Sequence, residues 1–140
     1  MCGIFGFIGS LSREDAAGCA DMMSHRGPDE TGLLCETDAV LAHKRLSILD
    51  LSETGKQPMS YADGRYWITF NGEIYNFVEI KKELESKGYR FKGTSDTEVI
   101  LASFLEWKER CLDKFNGGWA FAIWDRAEKT LFLSRDRFGK

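Results

Sequence analysis

Gly3 to Ile8 is a continuously apolar, glycine-interrupted run that begins almost at the start of the chain. Such a run fits a β-strand covered on both faces, since a half-solvated strand alternates apolar and polar residues. It is not a secretory leader: it has no basic lead, and the first ten residues contain three glycines. A second buried-type strand is expected over 119–124. Two strands of this kind in 140 residues, with 43% hydrophobic residues, fit one ordinary domain with a real core.

The punctuation between these runs is equally legible. Ser12 and Asp15 form a capping-box-like start for a helix over 13–23, which His25-Arg26-Gly27-Pro28-Asp29 breaks. Strands are expected over 33–35 and 40–48, then a loop over 52–58. Asp63-Gly64 signals a hairpin into a strand over 66–70. Asn76 with Glu79 caps a helix over 77–87 that Gly88 stops. A short extended piece is expected over 89–91. Ser95 with Glu98 is a second capping box, opening a helix along Val99, Ile100, Phe104 and Leu105. Gly117-Gly118 ends a further helical turn, and a strand over 130–134 pairs back onto 119–124. The order is α+β. The chain stops without covering its last strand, as a fragment of a longer chain would.

Charge and cysteine usage narrow the function. Nineteen Lys and Arg against 22 Asp and Glu leave −3, with no strong field for nucleic acid or an anionic membrane. No apolar run approaches the roughly 20 residues of a membrane span. Cys2, Cys19, Cys35 and Cys111 make no CxxC motif, so free thiols in a reducing, cytoplasmic setting are expected. Cys19, Cys35 and Cys111 sit among apolar neighbours and read as buried structural thiols.

Cys2 differs. With Met1 removed it carries a thiol and a free α-amine. Such an amine has a pKa of about 8, so it takes a proton near neutral pH. One residue then supplies nucleophile and base. A small second residue is also common in proteins without any such role. Asn71-Gly72-Glu73 follows the strand over 66–70 and has two readings. It is an ordinary turn, or an oxyanion hole built from an Asn side chain and a Gly backbone N–H. Arg45 in an apolar strand is a snorkelling residue or a bidentate grip on a carboxylate. Glu73 and Asp96, at element ends, can hold an ammonium group; Asp96 also suits a helix start electrostatically.

These pieces stand in one order: Met1-Cys2-Gly3-Ile4, His25 to Asp29, Arg45-Leu46-Ser47-Ile48, Asn71 to Asn76, Ser95-Asp96-Thr97-Glu98, Phe121 to Asp125, and Arg135 to Lys140. The order resembles the class II glutamine amidotransferases, and within them the asparagine synthetase family, over essentially the whole chain. Arg26-Gly27-Pro28-Asp29 is more similar to asparagine synthetases than to hexosamine-forming or purine-pathway amidotransferases. The resemblance implies an N-terminal-nucleophile hydrolase fold, an αββα sandwich of two antiparallel sheets between helical layers, truncated at its C-terminus. It implies that Cys2 attacks the side-chain amide of L-glutamine and that Asn71 and Gly72 stabilise the oxyanion. It implies that Arg45 binds the α-carboxylate, helped by backbone near Leu46 and Ile48, while Glu73 and Asp96 bind the α-ammonium. No metal is needed for that step. Ammonia then passes to a separate synthetase domain, absent here, that uses ATP and Mg to make asparagine or a related amide.

Gly118 departs from the bulky apolar residue common at its position in the family, which implies a packing change only. The competing readings are a non-catalytic glutamine-binding remnant that keeps the fold, and a hydrolase of other amides. Arg45, Glu73 and Asp96 together argue against the latter, since they suit a free amino acid with both ends charged.

Overall fold

The structure, a computed structural model, describes residues 2–46 and 55–139. Seven strands and three α-helices appear among them: β1 (Gly3–Ile8), α1 (Arg13–Asp21), β2 (Glu30–Cys35), β3 (Ala39–Arg45), β4 (Met59–Tyr61), β5 (Tyr66–Ile74), α2 (Phe77–Ser86), α3 (Asp96–Trp107), a 3₁₀ helix (Lys108–Lys114), β6 (Gly117–Asp125) and β7 (Thr130–Arg135). They build two sheets, ordered β1-β3-β2 and β4-β5-β6-β7, with every neighbouring pair antiparallel. Helix α1 packs on the first sheet, α2 and α3 on the second, and β1 and β3 pack against β5. The layers therefore run helix, sheet, sheet, helices.

Two apolar cores follow from this layering. Ile68, Phe70, Ile74, Phe121 and Ile123 of β5 and β6 pack with Ile80 and Leu84 of α2 and with Val99, Ile100 and Leu101 of α3. Leu34, Ala39 and Leu41 of the first sheet pack with Ala122 and Trp124 of the second. Polar bonds also cross between the sheets. Thr69 Oγ1 donates to the Ala42 carbonyl at 3.0 Å, and His43 Nε2 lies 3.1 Å from the Phe70 carbonyl. A carbonyl oxygen only accepts, so His43 carries its proton on Nε2. Burial pushes the His43 pKa down to about 4, which keeps the ring neutral.

Several sequence expectations change. The strand covered on both faces is β3, all seven of whose residues are buried, and not β1. β1 is an edge strand whose far half opens, with Phe7 43% and Ile8 55% exposed. It borders an apolar trough of about 530 Å³ formed with Ala122, Leu131 and Leu133. Helix α1 ends at Asp21, two residues early, although Ser12 caps it as expected by accepting from Asp15 N. Asn76 makes no cap bond. Its side chain donates to the Lys114 carbonyl and accepts from Asn116 N, both at 2.9 Å, pinning the β5–α2 corner to the start of β6. Ser95 caps α3, but Glu98 does not close the box: its carboxylate accepts from Lys92 N and Gly93 N and so orders the loop before the helix. Residues 89–91, expected as a short extended piece, form no strand. The expected further helical turn is the 3₁₀ helix, which ends at Lys114 with Phe115 as its C-cap, two residues before Gly117-Gly118 opens β6. Cys111 is fully buried as expected, whereas Cys19 and Cys35 are only half-buried; all four cysteines are free. Burial pushes the Cys111 thiol up to about 12, which suits a structural role.

Candidate active site

The register of the first sheet places the N-terminus. Gly3 pairs with Lys44 and Glu30 with Arg45, so one step beyond Gly3 the half-buried Cys2 lies alongside Arg45. The Cys2 carbonyl accepts from Arg26 Nε at 3.1 Å. Gly27 lets the 25–29 segment lie this close: a Cβ there would sit 2.3 Å from the Lys44 carbonyl oxygen. Asp29 N then donates to the Arg45 carbonyl at 3.1 Å. In the sequence the 25–29 segment reads as a helix breaker and a family motif. Its role, seating the residue that carries the thiol, depends on a contact 24 positions away in the chain.

Asn71 and Gly72 do not form a turn. β5 continues through both, with Asn71 opposite Ala120 and Gly72 opposite Trp119. The backbone of Trp119 is committed to the other side, where its N–H donates to Asp136 Oδ2 and its carbonyl accepts from Asp136 N. Gly72 therefore directs its N–H and C=O away from β6, to the edge of β5 that β4 leaves open beyond the Met59–Ile68 pair. On that same edge Phe70 N donates to Gln57 Oε1 at 2.6 Å, and Ile74 N donates to Asp96 Oδ2 at 3.0 Å. The Gly72 N–H stands in the row between two donors whose acceptors are protein side chains. The side chain of Asn71 shares a face with that of Thr69, which points to the first sheet. Asn71 and Gly72 thus offer one side-chain amide and one backbone N–H where the open edge meets the first sheet.

The remaining expected residues cluster less tightly. Arg45 ends β3, 8% exposed, with Nη1 3.2 Å from Glu30 Oε2. Glu30 is also 3.3 Å from Lys56 Nζ. Leu46 follows, half-buried; Ile48 lies outside the described residues. Glu73 is exposed at the β5 edge and Asp96 half-buried beside it. Burial, and secondarily the Glu73 charge, raise the Asp96 pKa, against the backbone N–H bonds that lower it. A cation placed between these two carboxylates would relieve that repulsion. Asp96, expected as a helix-start charge or an ammonium ligand, also anchors Ile74 in β5.

Two antiparallel sheets packed face to face between helical layers make up the N-terminal-nucleophile hydrolase fold. The sequence matches the family model described as glutamine amidotransferase domain across residues 1–140, and the chain belongs to that family. It is 44% identical to asparagine synthetase [glutamine-hydrolyzing] 1 of Bacillus subtilis, over 99% of this chain and 23% of that protein. It is 39% identical to the putative asparagine synthetase [glutamine-hydrolyzing] 2 of Methanocaldococcus jannaschii, over 99% of this chain and 30% of that one. The chain thus spans about a quarter of the length of such relatives. Among solved structures, glutamine phosphoribosylpyrophosphate amidotransferase from B. subtilis superposes with a TM-score of 0.75, covering 97% of this chain and 37% of that one. At 19% identity that likeness speaks to the fold alone.

Proposed function

We propose that this domain carries the glutaminase half-reaction of an asparagine-synthetase-type amidotransferase. The observation that carries the proposal is the open-edge placement of Gly72 N–H beside Asn71, on a strand bonded to β3, the strand that also seats Cys2. With Met1 removed, the α-amine of Cys2 takes the thiol proton and the sulfur attacks the side-chain carbonyl carbon of L-glutamine. The oxyanion is held by the Asn71 side chain and Gly72 N–H. The ammonium proton passes to the leaving nitrogen, ammonia departs, and a γ-glutamyl thioester remains. Water, deprotonated by the same amine, hydrolyses it to glutamate and restores the thiol.

Arg45 holds the substrate α-carboxylate through its planar guanidinium, with backbone at Leu46 and Ile48 assisting. Glu73 and Asp96 hold the α-ammonium. Nothing in this sequence of steps calls for a metal. ATP and Mg serve a separate C-terminal synthetase domain of the longer protein, which receives the ammonia and makes asparagine or a related amide. The free cysteines support a cytoplasmic setting, and among the described residues no helix is long and apolar enough to cross a membrane.

Intact mass should find Met1 lost, and an electrophilic glutamine analogue should add once, at Cys2, with glutamine protecting. Addition at Cys19, Cys35 or Cys111, or none at all, would sink the proposal. Asn71→Ala should lower turnover by about 10²–10³ with little change in KM, as removal of an oxyanion donor does. Arg45→Ala should act on the other parameter. Losing a charged hydrogen-bonded partner costs about 1.5–3 kcal/mol, so KM for glutamine should rise roughly 10- to 150-fold while kcat stays nearly constant. An unchanged KM in steady-state kinetics would remove Arg45 from the substrate site.

A further inference from the structure

The peptide groups just before Asn71 are held by an unusual set of partners. β4 stops pairing at Ile68, so two residues later the N–H and C=O of Phe70 have no strand to bond. Two side chains replace it: Gln57 accepts from Phe70 N at 2.6 Å, and His43 donates to the Phe70 carbonyl at 3.1 Å. Thr69, one residue earlier, is tied to the Ala42 carbonyl at 3.0 Å. Three successive anchors therefore precede Asn71, and two of them lead to β3. Phe70 C=O and Asn71 N belong to one planar peptide group, so fixing that carbonyl fixes the plane from which Asn71 departs. β3 also sets the position of Cys2, through the Gly3–Lys44 pair and through the 25–29 segment laid against Lys44 and Arg45.

We propose that His43, assisted by Gln57, is a positioning residue for the oxyanion donors: it clamps the Phe70–Asn71 peptide to β3 and so fixes Asn71 and Gly72 relative to the Cys2 sulfur. The inference rests on the glutaminase reading above. His43 touches no substrate; it acts through Phe70. Its bond also satisfies a buried carbonyl, which is a purely structural benefit, so the test must separate the two. Distance errors of about 1 Å between nucleophile and stabilising groups cost on the order of 10²-fold, whereas loss of a satisfied carbonyl alone changes how much protein is folded and not how fast each folded site turns over.

The experiment is kcat per active site, with sites counted by stoichiometric labelling of Cys2 with the electrophilic analogue. His43→Leu should lower kcat per labelled site by roughly tenfold or more, with KM for glutamine within about twofold. His43→Gln, which keeps an N–H donor, should recover most of it. In an Asn71→Ala background His43→Leu should cost clearly less than in the parent, because one of the two donors it positions is already gone. A parent-like kcat per labelled site for His43→Leu, or full additivity with Asn71→Ala, would overturn the inference. Should His43→Leu fail to fold, Gln57→Leu releases the same residue from its other side and carries the same expectations. A parent protein that labels and hydrolyses while the His43 and Gln57 variants match it would sink this inference alone; a parent that does neither would remove the glutaminase reading with it.

Discussion

Cys2→Ala should abolish glutamine hydrolysis, with turnover down by on the order of 10⁴–10⁶, while glutamine still binds within a few-fold of the parent affinity. The asymmetry follows from where each function sits. The sulfur is the bond-forming atom, whereas the substrate's charged ends are assigned to Arg45, Glu73 and Asp96. Truncating the side chain should also leave stability nearly unchanged, because Cys2 is held through its backbone carbonyl by Arg26. A second variant isolates the base. An N-terminal extension that is not processed keeps the thiol but converts the α-amine of Cys2 into an amide nitrogen, which takes no proton. Hydrolysis should fall as in Cys2→Ala, although the thiol still reacts slowly with simple alkylating agents. Quenched-flow or coupled glutamate assays on both variants decide the matter. Full turnover in the extended variant would show that a different group accepts the thiol proton.

The sequence carried the elements whose signals are local. Strand β1, the Ser12 and Ser95 caps, the β4–β5 hairpin and the β6–β7 pair all stand where the pattern put them, within a few residues. It failed where a side chain found a distant partner. Asn76 has the chemistry of an N-cap, but the Lys114 carbonyl and Asn116 N–H are better placed for it, and nothing local announces them. Glu98 likewise leaves its capping box for two loop amides. Asn71-Gly72 has two readings in the sequence, a turn or an oxyanion hole; β6, some fifty residues on, keeps it extended and removes the turn. At the site, the ordered motifs named Cys2, Arg45, Asn71, Gly72, Glu73 and Asp96. Arg26, His43 and Gln57 went unassigned, since a residue that acts by bonding to another's backbone has no signature of its own. His43 did carry one hint, a histidine within an apolar strand, and its cross-sheet bond is what that position serves.

Two glycines near one another on β5 and β6, Gly72 opposite Trp119 and Gly118 opposite Glu73, should behave oppositely. Gly72 has φ +151°, a region that residues with side chains rarely adopt, and a Cβ there would lie 2.2 Å from the Gly118 carbonyl oxygen and 2.7 Å from Trp119 Cα. Both obstacles are backbone, so relief requires β5 and β6 to separate at the point where the N–H row is built. Strained backbone costs about 1–3 kcal/mol and forced overpacking a similar amount. Gly72→Ala should therefore lose roughly 2–6 kcal/mol, a large share of a stability of about 5–15 kcal/mol, and Tm should fall by on the order of 10–20 °C. The molecules that remain folded should turn over no faster than Asn71→Ala, because the displaced N–H no longer meets the oxyanion. Gly118→Ala puts its Cβ in open space, and its backbone is not in the left-handed region. It should be neutral, or stabilising by up to about 1 kcal/mol through the reduced freedom of the unfolded chain. Thermal denaturation of the two variants side by side is the check. Equal losses would mean that the close approach of β5 and β6 at Gly72 is not what holds the Gly72 N–H on the open edge.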